Sequence, residues 1–278
     1  MSIALFVLLV VSIGTVAYVI FFRTVFASES VQKQPAGIIF EEPDPPQHRD
    51  IDRSSGSQRH KRPKVAIIID DMGYHGDVGN SLLQLPIKLT FSFLPFAPFA
   101  RDLEQLAHDL KQTILLHLPL EAKDPHWNPG PGALYLEDSA EDQIVKFQSC
   151  LMEVRYAIGV NNHMGSSFTE DDTAMRTLLQ QVKSQGLVFI DSYTTSASVG
   201  LSLAQELEVK SGRRDVFLDN IQEVETICEQ LKQLTEIAEK KGVAIGIGHP
   251  YEATLQAIKQ CTPQYLKRVE YVGVDAVL

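Results

Sequence analysis

The stretch Lys64-Val-Ala-Ile-Ile-Ile-Asp-Asp-Met-Gly73 joins a run of β-branched and small apolar residues directly to two carboxylates. A parallel strand that is buried on both faces has such a continuous apolar run, and α/β folds place their ligands at the C-terminal ends of these strands. The stretch therefore predicts a buried strand that delivers Asp70 and Asp71 to a pocket.

Adjacent carboxylates at a strand end are unfavourable unless something positive holds them. A bound cation lowers the pKa of both groups, whereas a shared proton requires the pKa of one of them to rise. A purely structural interpretation is equally open, in which one Asp caps the following turn and the other is exposed.

The composition fits one sizeable domain with appendages, since 44% of the 278 residues are hydrophobic and 22% are charged. The formal net charge of -10 argues against a nucleic-acid partner, which normally requires a basic face. The cysteines Cys150, Cys228 and Cys261 show no CxxC or CxxH spacing, so they indicate no zinc knuckle and leave one disulfide open.

Residues 3–22 form an uncharged apolar run of the length that a helix needs to cross the hydrocarbon core. Val25-Phe26-Ala27 is similar to a signal cleavage site, although the apolar run is longer than a typical signal core. Residues 1–26 are therefore predicted to be a membrane anchor or a signal segment, and the flanking charges leave its orientation open.

Residues 27–63 are rich in Glu, Asp, Pro, Gln, Ser and Arg, which predicts a flexible tether. Residues 64–278 then form the globular domain. We expect this domain outside the cytoplasm, either periplasmic, secreted, or held at the inner membrane by the N-terminal segment. A cytoplasmic placement is the alternative.

Strand and helix patterns alternate through this domain. Strands are predicted at 64–71, 89–94, 113–118, 187–190, 216–218, 243–247 and 269–274, and helices at 100–111, 139–158, 169–185, 197–206, 221–241 and 252–258. Residues 161–166 are predicted to be a polar loop between two helices. About seven parallel strands in roughly 215 residues favour a distorted or incomplete (β/α) barrel of the α/β class over a complete eightfold one.

Polar residues able to bind a metal or transfer a proton end five of these strands. They are Asp70 and Asp71, His117, Asp191, Asp219 and His249, and the 161–166 loop adds His163. The carboxyl ends of parallel strands share one edge of the sheet, so these side chains are expected to converge. Each has a structural alternative: His117 as a core histidine, the other histidines as loop or turn residues, and Asp191 and Asp219 as caps.

One carboxylate and two imidazoles suit Zn²⁺ or a similar divalent ion with positions left for water and substrate. Such an ion activates water and polarises a carbonyl, and a second carboxylate nearby can accept a proton. The pattern therefore predicts metal-assisted hydrolysis of an acyl or related bond.

Six ordered motifs together resemble the divergent polysaccharide deacetylase family. They are Lys64 to Gly73, Leu115-Leu-His-Leu-Pro-Leu-Glu121, Asn161-Asn-His-Met-Gly-Ser166, Phe189-Ile-Asp-Ser192, Arg214-Asp-Val-Phe-Leu-Asp-Asn220 and Gly246-Ile-Gly-His-Pro250. The resemblance covers nearly all of the chain from Lys64 onwards. It implies a distorted (β/α) barrel of the polysaccharide deacetylase type.

The resemblance also implies roles for individual residues. Asp70 would be the general base and His249 the late acid, and the metal, with Zn²⁺ as the first candidate, would be held by Asp71, His117 and His163. Asn162, Asp191, Asp219 and Arg214 are assigned to substrate binding. The chain departs from the well-studied members in one respect, since no second histidine follows His117 within a His-x-x-x-His segment.

The predicted function is a metal-dependent hydrolase that removes acyl groups, acetyl in particular, from a glycan of the cell envelope. The alternative is a catalytically silent protein with the same fold that binds glycans or organises the envelope. A different hydrolytic chemistry at the same metal is a third possibility.

Overall fold

The computed structural model describes residues 62–278. The predicted membrane segment and almost all of the predicted tether therefore lie outside the described residues. Within residues 62–278, no helix is long and apolar enough to cross a membrane.

Nine strands form a single sheet in the described part of the chain. They are β1 (Lys64–Met72), β2 (Thr90–Phe93), β3 (Thr113–Leu120), β4 (Gly159–Met164), β5 (Val188–Asp191), β6 (Ser211–Arg213), β7 (Val216–Phe217), β8 (Val243–Gly248) and β9 (Glu270–Val272). The strand order is β6-β5-β4-β3-β2-β1-β8-β7, with β9 beside β1, and every pairing is parallel.

Seven α-helices between residues 62 and 278 connect these strands. They are α1 (Gly76–Leu83), α2 (Ala100–Asp109), α3 (Ala140–Glu153), α4 (Asp172–Ser184), α5 (Gly200–Glu206), α6 (Val224–Lys241) and α7 (Glu252–Cys261). The N-caps of α3 and α4 follow from the sequence, because the side chains of Ser139 and Asp171 accept hydrogen bonds from backbone N–H groups of the first turns. Gly242 ends α6 with a left-handed φ of 88°, a conformation that glycine adopts without strain.

The sheet curls until its two edges meet. Arg213 ends β6 at one edge and Val216 begins β7 at the other. Between them, the N–H of Arg214 donates to Asp191 O (3.1 Å) and the N–H of Asp215 donates to Ile245 O (2.8 Å). Within residues 62–278 no ladder joins β6 to β7, so the barrel is distorted and incomplete, as the sequence predicted.

Side chains along β1 alternate between two apolar cores. Val65, Ile67 and Ile69 belong to the large core between the sheet and the helices. Ala66 and Ile68 instead join a smaller cluster inside the barrel, together with Leu115, Ile190, Ile245, Ile247 and Val274. Because both faces of the strand are buried, its sequence reads as a continuous apolar run.

The structure corrects three sequence predictions. Residues 161–166 were predicted to be a loop, but most of them belong to β4, whose apolar residues are too few to indicate a strand. Helix α1 and strand β6 were not predicted, since they are short and carry several glycines and polar residues. Helix α3 ends at Glu153 rather than Ile158.

Cys228 and Cys261 form a disulfide that links α6 to the end of α7. Cys150 is a buried free thiol, and burial raises its pKa to about 12. The sequence left the cysteine pairing open, and in the structure Cys228 pairs with Cys261 while Cys150 stays reduced.

Candidate active site

The site lies directly above the apolar layer inside the barrel. Asp70, His117 and His249 each follow an inward-facing apolar residue of the same chain segment by two positions, namely Ile68, Leu115 and Ile247. Strand side chains alternate with a period of two, so these polar groups also point inward. All three are at least 97% buried, with exposed fractions of 2%, 2% and 3%.

Asp71 breaks the alternation and thereby joins the same pocket. Its φ is 52°, in the left-handed region that few residues other than glycine adopt, and the pairing of β1 with β2 shifts register between Ile69 and Met72. As a result, His117 Nε2 lies 3.7 Å from an oxygen of Asp70 and 3.2 Å from Asp71 Oδ1.

Three potential ligand atoms form a compact triangle. Asp71 Oδ1 is 3.2 Å from His117 Nε2 and 2.9 Å from His163 Nδ1, and the two histidine nitrogens are 3.2 Å apart. Ligand atoms bound tetrahedrally to zinc at about 2.0–2.2 Å are separated by roughly 3.3 Å. The spacing of the triangle is therefore close to that of three ligands of one ion.

The chemistry of the triangle also fits a cation. Asp71 Oδ1 is buried, and its polar neighbours are the ring nitrogens of His117 and His163, which are themselves potential metal ligands. Asp71, His117 and His163 are the group of metal-capable side chains that the described residues bring together. A divalent ion would be bound by the buried carboxylate oxygen and by the lone pairs of both imidazoles at once.

Asn161 connects this triangle to Asp70. Its Nδ2 donates to both carboxylate oxygens of Asp70 (2.8 and 3.0 Å) and to Ser192 Oγ (3.1 Å). Its Oδ1 lies 3.0 Å from His117 Nδ1 and also accepts from Ser92 Oγ. The sequence analysis missed Asn161, although a period of two along β4 would have placed it on the same face as His163.

His249 is held from behind by Asp219. Its Nδ1 lies 2.9 Å from Asp219 Oδ1, and its backbone N–H donates to Asp219 Oδ2 (2.5 Å). The rings of Phe217 and Tyr251 pack against the imidazole at centroid distances of 5.3 and 5.7 Å. Because Nδ1 contacts Asp219, Nε2 is the ring nitrogen on the side away from that carboxylate.

Charge and burial shift the pKa values of these groups in different directions. Burial raises the pKa of Asp70, and the opposing effect of His117 is too small to cancel it. Burial also acts to raise the pKa of Asp71, but the imidazoles of His163 and His117 lower it well below its ordinary value. For His249, burial is outweighed by Asp219, and the pKa rises to about 9.

The four residues assigned to substrate binding have other contacts in the structure. Asp219 is fully buried, and besides His249 it accepts from Thr254 Oγ1 (2.6 Å). Asp191 is 1% exposed and accepts from Tyr193 N, Ser198 Oγ and Leu201 N, so it caps the start of α5 as its structural alternative predicted.

Asn162 and Arg214 likewise bind the protein backbone. Asn162 points to the opposite side of β4 from Asn161, where it bonds Ser192 N (2.9 Å) and Met164 O (2.7 Å). Arg214 donates to the carbonyl oxygens of Ser192 (2.7 Å) and Tyr193 (2.8 Å). All four side chains thus hydrogen-bond to the protein in the described residues, and their assignment to substrate binding stays a prediction.

Comparisons with known proteins find a matching family profile and related sequences. The sequence profile described as divergent polysaccharide deacetylase matches residues 67–278. An uncharacterized protein of Escherichia coli K12, YibQ, is 33% identical over 198 residues, which are 71% of this chain and 61% of that protein.

Two crystal structures are similar in fold. An uncharacterized protein from Agrobacterium tumefaciens C58 has a TM-score of 0.75 at 26% identity, covering 80% of this chain and 92% of that one. The catalytic domain of a peptidoglycan N-acetylglucosamine deacetylase from Eubacterium rectale has a TM-score of 0.52 at 12% identity, with coverage of 80% and 92%. The distorted barrel is thus the fold of carbohydrate deacetylases.

Proposed function

The chain belongs to the divergent polysaccharide deacetylase family, and on that premise we propose that it is a metal-dependent hydrolase that removes acyl groups, acetyl in the first place, from a glycan of the cell envelope. The observation that carries the proposal is the triangle of Asp71, His117 and His163, with Asp70 against one side of it. A protein that only bound glycans would need neither a buried base nor an oriented acid.

Asp71, His117 and His163 would hold the ion. When bound, a divalent ion such as Zn²⁺ polarises the acyl carbonyl and lowers the pKa of water. Asp70 removes a proton from the attacking water as the water oxygen bonds to the carbonyl carbon. His249 Nε2 returns a proton to the nitrogen or oxygen of the sugar as the acyl bond breaks, and Asp219 stabilises the charged imidazolium that performs this step.

The same burial that raises the pKa of Asp70 makes it a better base than an exposed carboxylate. The raised pKa of His249 keeps the acid protonated at neutral pH. The two groups are therefore in the protonation states that the reaction requires over the same pH range.

We place the domain outside the cytoplasm, where it would meet envelope glycans. The disulfide between Cys228 and Cys261 supports this proposal, because such bonds form and persist in oxidising compartments. The apolar segment at residues 3–22 supports it from the sequence.

Acetate release from N- and O-acetylated glycans by the zinc-loaded full-length protein tests the function. Asp70→Asn should reduce turnover by about 10²- to 10⁴-fold without loss of fold or metal. The exposed Asp77 on α1 provides a control, since Asp77→Asn should leave turnover unchanged. If no acylated glycan is hydrolysed with any divalent metal while glycan fragments bind equally to wild type and Asp70→Asn, the protein is the silent binder instead.

A further inference from the structure

Asn161 contacts the proposed base and a proposed metal ligand at the same time. Nδ2 donates to Asp70 and Oδ1 faces His117 Nδ1, and the side chain has no exposed surface. Ser192 and Ser92 occupy the remaining donor and acceptor positions. Every hydrogen-bonding position of the amide is therefore used, and its orientation is fixed.

This orientation determines the tautomer of His117. An ionised carboxylate only accepts hydrogen bonds, so the amide nitrogen must face Asp70 and the amide oxygen must face His117. An oxygen acceptor at 3.0 Å requires Nδ1 of His117 to carry the proton. When an ion is bound, the lone pair on Nε2 is then available to it, on the side of the ring that faces Asp71 Oδ1.

We propose that Asn161 is the positioning residue that couples the base to the metal centre. One amide holds the carboxylate of Asp70 and, through its other end, presents Nε2 of His117 to the ion. The inference rests on the proposed function for the role of Asp70, but its effect on His117 and on metal binding does not depend on turnover.

Two substitutions distinguish the role of the amide nitrogen, which faces Asp70, from that of the amide oxygen, which faces His117. Asn161→Asp retains an acceptor for His117 Nδ1, so metal affinity should be maintained or increased. The new carboxylate either repels Asp70 or shares a proton with it, and in both cases Asp70 no longer serves as a base. Turnover should therefore fall by about 10²-fold or more while the metal is retained.

Asn161→Leu removes both the amide donor to Asp70 and the amide acceptor for His117. Loss of the hydrogen bond to a metal-bound histidine typically weakens metal binding by about 10- to 100-fold. We expect a loss of that size, measured by competition with a zinc chelator. In ¹⁵N-histidine spectra of the zinc-loaded protein, a hydrogen-bonded proton should lie on Nδ1 of His117 in wild type and Asn161→Asp, and its hydrogen-bond shift should be lost in Asn161→Leu.

Asn162 is the matched control, since it is the same residue type on the same strand and is 1% exposed. Its side chain bonds to Ser192 N and Met164 O. Asn162→Leu should lower the melting temperature without moving the proton on His117.

The proposal is overturned if His117 of the zinc-loaded wild type carries its proton on Nε2, or if Asn161→Leu binds zinc as tightly as wild type. It is also overturned if Asn161→Asp and Asn161→Leu lose metal equally. These outcomes are read without substrate, so they are distinct from a failure of the proposed function, in which wild type hydrolyses no acylated glycan.

Discussion

Asp70 and Asp71 are neighbours in the sequence, yet both carboxylates lie beside one atom, His117 Nε2, at 3.7 and 3.2 Å. In a regular strand they would point to opposite faces of the sheet. The left-handed φ of Asp71 turns its side chain into the barrel, so that one acid faces Asn161 and the other faces the two histidines.

As a result, two chemically identical carboxylates have different surroundings and suit different roles. Asp70 accepts hydrogen bonds from a neutral amide, and burial keeps its pKa raised. Asp71 faces two imidazoles, which lower its pKa well below the ordinary value despite burial. Their different surroundings suit the first to proton transfer and the second to holding a cation.

The first prediction concerns metal binding by Asp71. Zinc at about 100 times its dissociation constant should stabilise the native domain by about 2.7 kcal/mol and raise its melting temperature by roughly 5–10 °C. Asp71→Ala should abolish this rise, because one corner of the ligand triangle is lost. Thermal denaturation with and without zinc measures the effect, and an equal rise in the variant would contradict the assigned ligand.

The second prediction concerns the turn that follows Asp71. Gly73 has a φ of 118°, and a Cβ there would lie 2.7 Å from the Cβ of Ala97. Gly73→Ala should therefore destabilise the domain by about 1–3 kcal/mol in urea denaturation and weaken zinc binding, since the turn positions the end of β1.

Gly130 is the control for this substitution, since its φ of 95° is also positive but a Cβ there meets nothing within 4 Å. Gly130→Ala should cost less than Gly73→Ala, because it adds backbone strain without a steric clash. Equal losses would show that the contact with Ala97 is unimportant.

The sequence predicts the strands that carry the site where apolar side chains dominate. β1, β3 and β8 are continuous apolar runs because both of their faces are buried, so their ends at Asp70, His117 and His249 could be located. β4 has no continuous apolar run, because Asn161 and His163 occupy its inner face instead of apolar side chains. These polar residues belong to the site, and because of them a hydrophobic pattern does not predict the strand.

The direction in which each side chain points was the part that the sequence could not supply. Asn161 and Asn162 are identical in type and adjacent, and only the direction of the strand decides that Asn161 faces Asp70 while Asn162 faces away. Asp219 was expected at the pocket because it follows a strand, but its bonds to His249 place it behind the acid.

The third prediction concerns the disulfide. Cys228 and Cys261 are 33 positions apart, and closing a loop of that size restricts the unfolded chain by about 3–4 kcal/mol. Urea denaturation should show a loss of that order when a reductant is added. The double variant Cys228→Ser/Cys261→Ser should be insensitive to reductant, whereas Cys150→Ala should still respond to it. A wild-type protein unaffected by reductant would argue against the bond.

The last prediction concerns the pH dependence of turnover. The reaction requires Asp70 ionised and His249 protonated, so kcat/KM should rise with pH through the raised pKa of Asp70 and fall as His249 loses its proton near pH 9. Burial alone would lower the pKa of His249, and the charge of Asp219 is the largest influence that raises it. Asp219→Asn removes that charge, so the alkaline limb should move to lower pH while the acidic limb stays near its wild-type position.

Asp191→Asn is the matched control, because Asp191 is a buried strand-end carboxylate whose hydrogen bonds go to Tyr193 N, Ser198 Oγ and Leu201 N at the start of α5. It should lower stability without moving the alkaline limb, and pH–rate profiles of the three proteins decide the matter. An alkaline limb that stays in place in Asp219→Asn would show that His249 is not the acid.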